Sequence, residues 1–183
     1  LIPLEKLYRR YTGESLAVKL SDFADVSERI QYLVTQVEEI TKIDNFGAYL
    51  TAMLEIDAFF MNEDRHTNNI AVIYNEKTQK YELSPFFDQG LCMFADINQD
   101  YPIDQSLEYC LEKIEAKPFS SDFDIQLDAA EELYGIQIGF QFTFKDIQIY
   151  LQKNSENYPR EVIRRVEQLL RGQMRKYGYL MKK

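Results

Sequence analysis

"FMNEDRHTNNIAVIYNEKTQKYELSPFFDQG", residues 60–90, joins the end of an apolar segment to a polar loop, two short apolar runs and a second acidic loop. The runs "NIAVIY" (69–74) and "KYELSPFF" (80–87), separated by "NEKTQ", read as two strands around a polar turn, a β-hairpin. A turn centred near Lys77 sets Asn69 across from the neighbourhood of Pro85 to Asp88. The two polar loops at the open end of the hairpin are therefore expected to meet.

Upstream, "NFGAYLTAMLEIDAFFMN" (45–62) is apolar nearly all round, the pattern of a buried central helix. Before it, "SDFADVSERIQYLVTQVEEITKI" (21–43) carries Ile30, Leu33, Val34, Val37 and Ile40 at the spacing of one helix face, with a cap expected at Ser21 or Asp22. Downstream, "DAAEELYGI" (128–136) and "TFKDIQIYLQKN" (143–154) read as helices, and residues 158–180 as a last one with Pro159 in its first turn. Residues 92–121 look irregular, with one short helix within "DYPIDQSLEYCLEKIEAKPFS". No repeat or Pro/Gly/Ser-rich linker divides the chain, so residues 1–183 are expected to form a single unit, mainly α with one small inserted hairpin.

The balance of 45% hydrophobic and 28% charged residues is that of a globular protein, and no apolar run approaches the roughly 20 residues of a membrane span. A formal charge of −9 argues against broad nucleic-acid binding, which needs a basic face. Between Arg160 and Lys183, however, eight basic residues face only Glu161 and Glu167, so an acidic body carries a basic tail. Cations near a helix C-terminus complement its dipole, which explains the tail more simply than an acidic partner does. Cys92 and Cys110 lack metal-ligand spacing, and with His66 as the one histidine a Cys/His zinc site cannot be assembled. A reducing cytoplasm is the expected compartment. The thirteen tyrosines have no interleaved basic groove, which favours packing over base stacking.

Phosphoryl transfer needs a carboxylate that orients the attacking hydroxyl and accepts its proton, and oxygen ligands that hold magnesium against the phosphates. Kinases place these on an Asp and an Asn separated by four residues, then on an Asp that follows two strands later. Asp64 and Asn69 have that spacing. Asp88, after Phe86 and Phe87 and before Gly90, has the setting of a metal-binding loop, with Gly90 expected to turn the backbone away. Hard oxygen donors of this kind suit magnesium.

"DRHTNN", as Asp-x-His-x-x-Asn, followed by a hairpin and "PFFD", resembles the catalytic and metal-binding motifs of the HipA-like serine/threonine kinases, bacterial toxin kinases distantly similar to the phosphoinositide kinases. The resemblance implies that Asp64 is the catalytic base, that Asn69 and Asp88 are magnesium ligands beside ATP, and that His66 belongs to the catalytic loop. It covers the middle of the chain, and the helical flanks match the family's C-terminal lobe in a general way. No Gly-rich phosphate loop and no strand lysine precede Asp64. The N-terminal ATP-binding lobe is therefore expected in another part of the gene or in a second chain, with the present chain inactive without it. A protein substrate with a Ser or Thr acceptor and an antitoxin-like partner are the partners implied. The "FDQG" segment departs from the Asp-Phe-Gly of protein kinases.

For His66 the expectation is a hydrogen bond to a backbone carbonyl that braces the loop, with an approach to phosphate as the alternative. Arg65 is expected to face solvent, with pairing to Glu63 or Asp57 or to a substrate as its alternatives. Two further functions compete with the kinase: a partner-binding module that keeps a kinase-like lobe without catalysis, and a metal-dependent phosphohydrolase built on Asp64, His66 and Asp88.

Overall fold

The computed structural model describes residues 1–182; Lys183, one of the eight basic residues of the tail, lies outside them. The chain is mainly helical, with a small antiparallel sheet. In order it runs β1 (Ile2–Pro3), α1 (Leu4–Thr12), α2 (Leu16–Ser21), α3 (Val26–Thr41), α4 (Phe46–Phe60), β2 (Ala71–Asn75), β3 (Lys80–Leu83), α5 (Leu107–Lys113), α6 (Phe123–Tyr134), α7 (Phe144–Lys153) and α8 (Arg160–Lys176). Among the described residues no helix is long and apolar enough to cross a membrane.

The apolar helix α4 occupies the centre. It buries Phe46, Leu50, Met53, Leu54, Ala58 and Phe59 against α3, α6 and α8, which explains why its hydrophobic residues do not keep to one side. Its partner α3 presents the expected stripe of Ile30, Leu33, Val34 and Val37. The start of α3 differs from expectation: the cap is Asp25, whose carboxylate accepts the Glu28 amide, because Ser21 closes the separate short helix α2. Helix α6 likewise begins earlier than its sequence pattern indicates, since Asp122 accepts the amides of Asp124 and Ile125. In α7, Thr143 and Asp146 form a reciprocal capping box. Pro159 stands at the cap of α8, one position before its first turn.

Helix α8 closes on α4 through polar as well as apolar contacts. The Gln173 side-chain amide donates to the carbonyls of Ala58 and Phe59, two of the acceptors that the C-terminal end of α4 leaves without helical partners. Arg165, also buried, donates to the carbonyls of Tyr101, Pro102 and Gln105 and so fastens the long segment between β3 and α5. Lys176 pairs with Asp124 at 2.6 Å, and Arg171 lies over the Phe144 ring. Of the tail's cations, Arg165 is thus buried in the fold, and Lys176 and Arg171 are engaged at its surface.

The hairpin pairs Val72 with Leu83, Ile73 with Glu82, Tyr74 with Tyr81 and Asn75 with Lys80. Continuing that register opposes Asn69 to Phe86, within the expected neighbourhood. The strands are shorter at the open end than the sequence pattern suggests. Beyond Leu83 the chain continues as Ser84, which is buried and shares a hydrogen bond with Tyr49, and Pro85, which has no amide to donate. A third strand, β1, pairs Ile2 with Val72 and Pro3 with Ala71 on the other side of β2. Two residues give no alternation for a sequence pattern to register.

Where α4 passes α6, Gly47 lies against the Tyr134 ring so closely that a Cβ there would overlap it. Gly47→Ala gains at most about 1 kcal/mol of helix propensity, whereas overpacking costs about 1–3 kcal/mol. The second effect wins, and the substitution is expected to lower the urea unfolding midpoint without changing the slope of the transition.

Candidate active site

Helix α4 ends with Met61 in the left-handed region at φ 54°, and the next eight residues form the loop that carries the motif. Asp57, one turn before that end, is 1% exposed and must have its charge compensated. Two neighbours supply this through three donors. Arg65 donates through Nε at 2.6 Å and through Nη2 at 2.9 Å, and Asn62 donates its amide at 2.7 Å. Burial pushes the Asp57 carboxyl upward, while the guanidinium draws it back down. The bidentate geometry of the pair is the kind that Arg alone provides.

The remaining arm of the same guanidinium organises the site. Arg65 Nη1 donates to the Asn69 carbonyl at 2.6 Å and to the Phe87 carbonyl at 3.0 Å. One nitrogen thus joins the residue at the end of the first loop to the residue just before Asp88. Arg65 is fully buried, so the expectation of a solvent-facing side chain is corrected. The cause is Asp57: its buried charge needs oriented donors, and Arg65 supplies two of them.

Asp64 and Asn69 meet directly. The Asn69 side-chain amide donates to the Asp64 carbonyl at 2.9 Å and to Asp64 Oδ2 at 3.2 Å. The backbone tightens the turn, since the His66 amide donates to the Asp64 carbonyl and the Asn69 amide to the His66 carbonyl. With its nitrogen held this way, the side-chain oxygen of the buried Asn69 accepts no hydrogen bond from the described residues. The Asp88 carboxylate is exposed and makes no hydrogen bond or ion pair among them. An amide oxygen without a hydrogen bond and an unengaged carboxylate, on neighbouring loops, are hard donors of the kind that fits magnesium; phosphate oxygens and water would complete its shell.

Two expectations need correction. The left-handed turn falls on Asp88 itself, at φ 55°, and not on Gly90, whose φ lies outside that region. Asp adopts this conformation more readily than most residues because its short side chain bonds locally. His66 does not brace the loop through its side chain. Its Nδ1 is buried without a partner, and its Nε2 lies 3.7 Å from Asp64 Oδ1, beyond hydrogen-bonding distance.

Sequence reasoning missed Lys117, whose Nζ lies 3.8 Å from the same Asp64 Oδ1 after a separation of more than fifty residues. It also missed Tyr101, whose hydroxyl donates to Glu63 at 2.5 Å and ties the long segment to the loop. Burial raises both groups, against the hydrogen bond for Glu63 and together with it for Tyr101. The signal that could have found Arg65 was available: Glu55 and Asp57 are the only charges in α4, and each needs a partner. Glu55 finds the amides of Gln137 and Ile138. Cys92 and Cys110 are free, and burial pushes the Cys92 thiol up to about 12, which keeps it protonated.

No family model, curated protein or solved structure matches this chain. The functional reading therefore rests on the residues themselves.

Removing one partner of a buried ion pair leaves an uncompensated charge and costs about 3–5 kcal/mol. Arg65→Met is expected to lower stability in chemical denaturation by that amount, and Arg65→Lys to recover less than half of it, since lysine cannot reproduce the fork. Asp57→Leu combined with Arg65→Met should recover more stability than Arg65→Lys does.

Proposed function

We propose that this chain is the C-terminal catalytic lobe of an ATP- and magnesium-dependent serine/threonine protein kinase of the HipA-like class. The observation that carries the reading is the junction made by Arg65: a single guanidinium holds Asn69 and the residue before Asp88 together, while Asn69 holds Asp64. Three polar residues that a kinase needs are thereby gathered from two loops at one end of a hairpin.

In this reading Asp64 Oδ1 accepts the acceptor hydroxyl's hydrogen bond. As the new oxygen–phosphorus bond forms, the proton passes to the carboxylate, and the bond to the departing ADP breaks. Asn69 keeps Oδ2 occupied and so presents Oδ1. The side-chain oxygen of Asn69 and the carboxylate of Asp88 would hold magnesium, which when bound neutralises phosphate charge. A nucleotide-binding lobe, in the same polypeptide or in a second chain, is part of the proposal, as are a protein acceptor, an antitoxin-like partner and a cytoplasmic setting.

A second reading, a partner-binding module without catalysis, is favoured by one observation. An apolar groove runs between α7, α8 and residues 89–97, lined by Met93, Ile97, Leu151, Tyr158, Val162 and Val166. The phosphohydrolase has less support, because no group of three acids, histidines or cysteines among the described residues is arranged to hold a metal.

In the complete gene product, Asp64→Asn and Asp88→Asn are each expected to abolish phosphate transfer from labelled ATP while the circular dichroism spectrum is unchanged. Full activity in either variant overturns the kinase. Absence of magnesium-dependent ATP binding by the wild type favours the module.

A further inference from the structure

We propose that Lys117 is a catalytic residue that contacts the phosphoryl group in transit; the inference rests on the kinase reading above and extends it to a residue outside the motif. The two oxygens of Asp64 are not equivalent. Oδ2 is engaged by Asn69, whereas Oδ1 has only His66 Nε2 at 3.7 Å and Lys117 Nζ at 3.8 Å beside it. Both distances are too long for a hydrogen bond, which leaves Oδ1 open to an incoming hydroxyl. A hydroxyl seated there has the Lys117 ammonium as its neighbour, and so has the phosphorus it attacks.

The backbone that carries Lys117 is built to hold it in place. Its carbonyl accepts from the side-chain amide of Gln126, a buried residue of α6, and Gln126 in turn accepts the amide of Phe119. The Ala116 amide donates to the Ser121 carbonyl, and Arg29 donates to the Phe119 carbonyl at 2.7 Å. Phe119 itself is fully buried. A half-exposed ion pair contributes little to stability and gives no account of why this support converges on Lys117. A cation that must meet developing charge at a fixed point does, because electrostatic catalysis depends on donors oriented before the reaction begins.

Charge balance gives the second argument. Glu63, Asp64 and Asp88 bring acids to this end of the molecule, and Arg65 is enclosed and committed to Asp57 and two carbonyls. Among the described residues Lys117 is the permanently charged cation within 4.0 Å of Asp64. The transferred group carries its charge on three equatorial oxygens. In the step, the hydroxyl oxygen bonds to phosphorus, the bond to the ADP oxygen breaks with its electron pair leaving on ADP, and the proton goes to Asp64. Lys117 keeps all its protons and holds the equatorial oxygens on that side.

The test uses the full-length gene product with Lys117→Ala, Lys117→Met, which keeps the aliphatic stem, and Lys117→Arg. Calorimetric titration with magnesium-ATP and magnesium-ADP, alongside transfer from labelled ATP, separates the outcomes. Both neutral variants are expected to bind ATP about tenfold more weakly while ADP binding stays within about twofold, and to lose about 10²–10³ in kcat. Lys117→Arg should restore most of the ATP preference, with melting temperatures alike throughout. Variants that keep both the ATP-to-ADP ratio and kcat, or that lose ATP and ADP affinity equally, overturn the role of Lys117 while a wild type that transfers phosphate leaves the kinase reading standing. A wild type that binds neither nucleotide removes both.

Discussion

The Asp57–Arg65 pair is the constraint on which the site depends. A carboxylate buried in the most apolar helix of the protein needs oriented donors, which Glu55 finds in two backbone amides and Asp57 in the fork of Arg65, which meets that demand with two of its nitrogens. What remains of the guanidinium is then fixed in space and aimed at two carbonyls from separate loops. The energetic requirement of the core and the positional requirement of the site are met by one side chain. Helix α4, packed on three neighbours, serves as the rigid base from which the loop is hung.

A second consequence concerns how the surface segments are attached. The long stretch between β3 and α5 has no regular structure of its own, yet it is fastened by Arg165 at three carbonyls and by Tyr101 to Glu63. Lys113 adds an outer tie to Asp100. Irregular backbone is kept in place here by long donors reaching into it from elements that are themselves packed. The aromatic residues do comparable work at the C-terminal end of α4, where the Phe59 ring centroid lies 4.5 Å from that of Phe140 and the ring also meets Phe142 and Tyr177.

How far the sequence disclosed these arrangements can be followed residue by residue. The centrality of α4 was legible because apolar residues on every side of a helix have nowhere else to go, and the hairpin was legible because its alternation and turn chemistry agree. The approach of the two loops was legible from the hairpin register, which sets Asn69 across from Phe86, one residue from the Phe87 carbonyl that shares Arg65 with it. The start of α3 was misplaced because Ser21, Asp22 and Asp25 are all competent caps, and the choice depends on where α2 stops. Arg65 was misjudged because its partner lies eight residues back, across a helix end that no helical spacing covers. Lys117 left no signal, since only the folding of α6 against the loop brings it near. The turn assigned to Gly90 shows a different failure, in which a preference for glycine outweighed the tolerance of Asp for the same backbone.

That left-handed backbone at Asp88 also has an evolutionary reading. The conformation admits Asp, Asn and Gly with little strain and resists branched or bulky side chains. Chemistry and backbone therefore select for overlapping but unequal sets of residues at one position. If the proposed kinase role were lost in a descendant chain, Asn or Gly could replace Asp there, while Asp57 and Arg65, which the core needs regardless, would stay. A lineage in which residue 88 varies within that narrow set and the buried pair does not would carry the mark of an enzyme turned scaffold.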